Sequence, residues 1–278
     1  MPGHRQLRML AACECSGRVR DAFAARGWEA WSADVLPSET PVFDEMYGGP
    51  EFEKTPSPED CTPGGRHYQG DVLDLLDPLH PVNLPHGVPR ASPWDLVIAF
   101  PPCTHLSLAG AVWWKVKRLP RGYWDDASDK WIELPSVQDE AASFFMEMVN
   151  APSSLVAVEN PRGDMTRRYR PPDQYVQPYM FGDPLIKSTG LWLKGLPLLR
   201  AEAHTLKEEQ ELMRVATGGG SWRTDIKHGR GASNRHEDGE GRINRQRVRN
   251  RTPPGLARAM ADQWGPFAEK YYGYLEEK

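Results

Sequence analysis

"PWDLVIAFPPC", residues 93–103, holds an apolar run stopped by two prolines and then a cysteine. A short run such as "WDLVI", closed by Pro101 and Pro102, reads as a buried strand that ends where its backbone can no longer donate to a ladder. Cys103 then stands just past the tip of a core strand, with His105 two places on. A strand-end cysteine taken alone is ordinary packing, since cysteine is among the most buried residue types. The motifs elsewhere in the chain favour a reactive thiol instead.

Similar segments lie on both sides. "LRMLAAC" (7–13) reads as a first strand and "GRVRDAFAARG" (17–27) as a helix, with Gly27 placed to cap it. "WEAWSADV" (28–35) reads as a second strand ending near Asp34. Residues 36–69 are rich in Pro and Gly and read as a long loop, and "GDVLDLL" (70–76) as a third short element. The strand at 93–100 is the fourth. A Trp-rich insertion at 111–137 and a helix at 136–151 precede a fifth strand, "SLVAVENP" (154–161). "GLWLKGLPLL" (190–199) is a further strand candidate. "PPGLARAMADQWGPFAEKYY" (253–272) opens on proline and sets Leu256, Met260 and Trp264 at helical spacing, so it reads as a helix returning to the core.

Alternating strand and helix patterns predict an α/β fold: a doubly wound, mostly parallel sheet covered on both faces. Ligands in such sheets sit outside the carboxyl ends of the strands. Ser16, Gly17, Asp34, Asp71, Cys103 and Glu159 all fall there, which suggests one pocket. The division expected is a catalytic domain over 1–200 with insertions at about 36–69 and 111–137, a short segment at 201–249, and a closing helix at 250–278.

Composition narrows the function classes. The chain has 278 residues, enough for a full core, and its formal charge is −4. Residues 221–251 hold nine Lys/Arg against four Asp/Glu, a local excess of +5 that leaves −9 for the remainder. A run such as Arg242, Arg245, Arg247, Arg249 and Arg251 suits phosphate binding. No apolar run nears the length of a membrane span, and the apolar stretch near the N-terminus is too short for a signal peptide. A cytosolic protein with reduced thiols is expected. Cys13 and Cys15 have no second pair at zinc spacing, so no metal is expected.

The order of motifs resembles the DNA cytosine-5 methyltransferases. The matching pieces are "CECSG", Asp34, "GDV", "FPPC", "VENP", "FGDPLIKSTGLWL" and "RNRTPPGLARAMA". The resemblance implies a Rossmann-like methyltransferase fold, S-adenosyl-L-methionine as cofactor and double-stranded DNA as partner. It makes Cys103 the nucleophile that adds to C6 of a cytosine, which turns C5 into the attacking atom. Glu159 becomes the carboxyl that hydrogen-bonds or protonates N3. The base must be lifted out of the duplex to reach either group. For the cofactor, the resemblance assigns the amino-acid end to the backbone around Cys15, Ser16 and Gly17 and the ribose to Asp34. It assigns the adenine to Asp71 with Val72, and places Pro101 and Asn250 alongside.

Three departures stand out. The first loop has one glycine and no phenylalanine. Lys187 and Thr189 occupy the places of two arginines, so the charge near the cytosine falls to Lys187 or to Arg162 of "ENPRGD". The recognition segment, 201–249, is short. His105 is expected to orient its loop rather than to act as a base. Trp113, Trp114, Trp124 and Trp131, interleaved with Lys115, Lys117, Arg118 and Arg121, suit unstacked bases and phosphates or, equally, a packed subdomain. Two other functions fit the same motifs: C5 modification of free deoxycytidylate or with a larger one-carbon group, and a DNA-binding relative that has lost catalysis.

Overall fold

The computed structural model describes residues 5–39, 65–77, 84, 88, 94–183, 187–201, 208 and 251–276. Its centre is a seven-stranded sheet. In chain order the strands are β1 (Arg8–Ala12), β2 (Glu29–Asp34), β3 (Gly65–Gln69), β4 (Leu96–Ala99), β7 (Leu155–Pro161), β8 (Gln174–Val176) and β9 (Thr189–Lys194). A separate two-stranded ribbon pairs β5 (Arg121–Asp125) with β6 (Lys130–Leu134).

The spatial order is β3-β2-β1-β4-β7-β9-β8. The first five of these run parallel, and β9 runs antiparallel to both β7 and β8. The chain steps outward from β1 to β3 and then returns to place β4 on the other side of β1. That reversal makes the carboxyl ends of β1 and β4 a topological switch point, where open α/β sheets hold their ligands.

Both faces of the sheet are covered, which is why its strands read as continuous apolar runs. One face carries Met9, Ala11, Ile98, Leu155 and Ala157 against helices α1 (Arg18–Ala24) and α6 (Pro254–Glu276). The other carries Leu10, Ala12, Val97, Val156 and Val158. It is covered by α2 (Leu73–Leu76) and α4 (Val137–Val149), with Phe145 edge-on to Trp192 at 5.1 Å. Two shorter helices complete the set, α3 (Trp114–Lys117) and α5 (Met165–Arg168). Leu256, Met260 and Trp264 of α6 are all buried, so the last helix does return to the core. No helix among the described residues is long and apolar enough to cross a membrane.

The start of α6 is fixed by a residue far away in sequence. The Asp183 carboxylate accepts from Gly255 N–H at 3.0 Å and Leu256 N–H at 3.1 Å, two of the donors a helix start leaves open. A Cβ on Gly255 would lie 2.0 Å from the Phe181 carbonyl oxygen, so only glycine fits there. The motifs "FGDP" and "TPPG" are thus two halves of one joint.

Two segments depart from the expected elements. The loop expected over 36–69 ends in β3, an edge strand of mostly polar residues with one buried side chain, Tyr68. The element expected at 70–76 is the turn and short helix after that strand. The Trp-rich insertion, to which the sequence assigns no elements, holds the ribbon and two helical turns.

Candidate active site

Three segments distant in sequence meet at the carboxyl end of β1. The Glu39 N–H donates to the Cys15 carbonyl at 2.7 Å, and Arg251 Nε donates to Glu39 Oε2 at 2.6 Å. Arg18 donates to the Thr252 carbonyl at 2.9 Å. The first loop, the segment after β2 and the start of the closing motif therefore form one wall. Arg251 is buried there, so it does not belong to an exposed phosphate-binding run as the sequence suggests. The other four arginines of that run, the segment 209–249 and Asn250 lie outside the described residues.

A residue without a motif of its own shapes the first loop. Glu14 is buried, and its carboxylate accepts from the Ser16 hydroxyl and from Gly17 N–H at 3.0 Å. Gly17 sits at φ 74°, in the left-handed region that glycine adopts at least cost. Glu14 thus ties the loop to itself through Ser16 and Gly17. An acid three residues before the loop's single glycine is the available signal. Burial pushes the Glu14 carboxyl up to about 7.

Beneath the same wall runs a buried polar chain. Arg20, fully buried, donates to Ser32 Oγ at 3.1 Å and to Ser38 Oγ at 3.2 Å. His67 Nε2 lies 3.0 Å from the Leu36 carbonyl, which can only accept, so Nδ1 is the unprotonated nitrogen. It accepts from the Ser32 hydroxyl at 2.8 Å. Burial, with Arg20 nearby, holds His67 down at about 4.

These two groups give opposite pH dependences. Glu14, raised from 4.5 to about 7, contributes stability that is full below 4.5 and lost as pH rises through 7. His67, lowered from 6.5 to about 4, contributes stability that is full above 6.5 and lost as pH falls through 4. Each is worth about 3 kcal/mol at full extent, so their slopes nearly cancel between pH 4.5 and 6.5. Relative to the parent, Glu14→Gln should gain stability with rising pH across that window, and His67→Gln should lose it. Urea unfolding at several pH values measures both, and parallel curves for all three proteins would contradict the assignment.

The wall is acidic. Asp34, half-buried, accepts from Leu36 N–H at 2.9 Å, and burial raises its carboxyl. Burial, then Asp34 and Asp71, pushes the Cys13 thiol far up, while burial, then Glu39 and Asp34, pushes Cys15 up to about 12. Both surroundings disfavour the thiolate that a nucleophile needs. Asp71 is exposed and accepts from Leu73 N–H at 3.0 Å at the start of α2, and Val72 is buried in the core. The carboxylates gathered about the Cys13 and Cys15 thiols, Asp34, Glu39 and Asp71, suit a ligand that carries positive charge and hydroxyl donors.

The thiol loop leaves the adjacent strand. Pro101 is buried, and its carbonyl accepts from Asn160 Nδ2 at 2.8 Å. Cys103 is half-buried, and its carbonyl closes a tight turn by accepting from Leu106 and Ser107 N–H at 3.0 and 2.9 Å. His105 is half-buried, its carbonyl accepting from Gln138 Nε2 at 3.1 Å. Burial, then Lys117, lowers its imidazole.

Residues 162–164 zip onto the far side of this loop. Leu108 N–H donates to Arg162 O at 3.0 Å, and Asp164 N–H donates to Leu106 O at 2.7 Å. A Cβ on Gly163 would stand 2.0 Å from Leu106 O, so the zipper requires glycine. Gly163→Ala should therefore move the thiol loop, and misplacement of about 1 Å costs roughly 100-fold in rate. If Cys103 carries out a reaction, that loss should fall on turnover and leave substrate affinity little changed. An unchanged kcat would show that the zipper does not position Cys103.

Glu159 lies in β7, one residue beyond the Ala99–Val158 pair, so it comes level with Phe100. It is 9% exposed. Its Oε1 accepts from the Thr189 hydroxyl, and Lys187 Nζ stands 3.9 Å from the same atom. Of the two cations expected to supply charge, Lys187 is the one within ion-pair distance. Arg162 is exposed and contributes its carbonyl to the thiol loop instead. Phe100, Glu159, Lys187, Thr189, Thr252 and Pro253 line a small cleft that opens to solvent. Cys103 is not among the residues lining it. It sits three residues beyond Phe100 at the same sheet edge.

No family model and no curated protein matches the chain.

Proposed function

We propose that the chain methylates cytosine at C5 in double-stranded DNA, using S-adenosyl-L-methionine, through a covalent bond between Cys103 and C6. The observation that carries this reading is what stands at the carboxyl ends of two neighbouring strands, β4 and β7. A thiol loop held by backbone bonds comes after β4, and a carboxyl bonded by Thr189 and faced by Lys187 stands on the neighbouring β7.

When bound, the cofactor supplies an electrophilic methyl group. The carboxylates near Cys13 and Cys15 would suit its cationic sulfonium and ammonium centres, and Asp34 its ribose hydroxyls. Cys103 Sγ adds to C6 as the thiolate, and C5 becomes the atom that takes the methyl. Thr189 donates to Glu159 Oε1, which leaves the Oε2 side of the carboxyl to give a proton or an O–H hydrogen bond to N3 as charge builds there. Lys187 stabilises negative charge on the same side. The C5 proton then departs to solvent, the C6–S bond breaks, and the thiolate returns.

The test is a labelled methyl donor offered with duplex DNA and, separately, with deoxycytidylate. Label recovered as 5-methylcytosine in the DNA supports the reading. Label confined to the free nucleotide, or none in either, overturns it.

A further inference from the structure

Apolar exposure on this protein is concentrated in one place. Among the described residues, nine of the fifteen large exposed hydrophobic side chains fall within 108–134. Single exposed apolar residues are ordinary, but a cluster marks a surface that something covers.

The β5–β6 ribbon shows how the cluster is built. Trp124 and Trp131 are directly opposed across the two strands and share a face with Gly122 and Glu133. They are 53% and 57% exposed. The Trp131 ring lies over Gly122, where a Cβ would be 2.6 Å from its Cε2 and Cζ2 atoms. Glycine thus seats one face of the indole and leaves the other toward solvent. Trp113, also exposed, lies at the end of the 3-10 turn that leads from the thiol loop toward the ribbon.

Charge selects the partner. The stem, 108–121, carries Lys115, Lys117, Arg118 and Arg121 and no acid of its own, although Arg118 pairs with Asp164 and Arg121 with Glu140. Exposed Arg162 lies on the segment zipped to the thiol loop, and Arg167 beside it pairs with Asp164 at 3.4 Å. The ribbon's own acids are Asp125, Asp126 and Asp129 at its turn and Glu133 beside Trp131. A second copy placed face to face across a two-fold axis would bring like-charged stems together, whereas a polyanion meets them favourably. Lys117 Nζ reaches the Thr104 carbonyl at 2.6 Å, so the basic stem rests on the Cys103 loop itself.

We infer that the ribbon is a stacking platform for unpaired bases of the DNA strand opened beside the lifted cytosine. This rests on the reading of the chain as a DNA-modifying enzyme. Stacking accepts any base because every base has a π face, while the stem holds the phosphates.

The test is binding, without cofactor, of two labelled duplexes, one fully paired and one with a central bubble of unpaired thymines. The parent should bind the bubble at least about ten-fold more tightly, as expected for two stacked bases. Trp124→Ala/Trp131→Ala should erase that preference and keep the affinity for paired duplex within about two-fold, the phosphate contacts being intact. Trp124→Phe/Trp131→Phe, which keeps an aromatic face, should retain most of the preference. Equal binding of both duplexes by the parent, or an undiminished preference in the alanine variant, overturns the inference. So does a dimer, seen by sedimentation, that the alanine variant abolishes without any effect of the bubble. Bubble preference without methyl transfer would sink the enzymatic reading and leave the platform. Transfer without bubble preference would do the reverse.

Discussion

Cys103→Ala should reduce methyl transfer to DNA by on the order of 10⁴-fold or more, since it removes the atom that activates C5. The loop that carries the thiol is held by backbone bonds, from Leu106 and Ser107 to Cys103 O and from Asp164 to Leu106 O. None of these uses the Cys103 side chain, so the fold should survive the change. Serine in its place should fail equally, because a hydroxyl ionises far less readily than a thiol. Cys13 and Cys15 supply the control. Their thiols are held protonated by burial and by the carboxylates around them, so an ionised nucleophile is not available from either. Cys15→Ala should therefore leave the covalent step in place, and a loss comparable with that of Cys103→Ala would move the nucleophile to the first loop.

Glu159→Gln should lower kcat by roughly 10²–10⁴-fold, the range for a positioned acid or base. Glutamine keeps the shape and an acceptor for the Thr189 hydroxyl. It cannot give a proton to N3 as charge develops on the ring. Its amide can still donate a hydrogen bond there, so binding of the base should change less than turnover. The ion pair that it removes is long, 3.9 Å, with Lys187 30% exposed, so stability should shift little. A variant with parental kcat would remove Glu159 from the chemistry.

The parallel core was legible because its strands are buried on both faces and read as unbroken apolar runs closed by Pro, Gly or Asp. The last helix was legible from Leu256, Met260 and Trp264 at one spacing. β3 was not, because this edge strand, "GRHYQ", has one apolar position among polar ones. The ribbon was not, because Tyr123, Trp124 and Trp131 stay exposed and leave no alternation between core and solvent to detect.

At the site, the sequence indicated residue types at strand ends but not the contacts that hold them. Asp183 caps a helix that begins about seventy residues later, and Gly163 matters because a carbonyl from another loop approaches it. Neither relation has a local signature. Glu14 was hidden by the neighbours that drew attention to themselves, Cys13 and Cys15.

The most direct measurement is mass spectrometry of the protein after incubation with duplex DNA containing 5-fluorocytosine and S-adenosyl-L-methionine. Fluorine at C5 cannot leave as a proton does, so the bond to sulfur should persist. The account predicts a DNA-linked, methylated adduct on the peptide that contains Cys103, and none with Cys103→Ala. Intact protein bound to the DNA with no covalent adduct, or an adduct at a different cysteine, would contradict it.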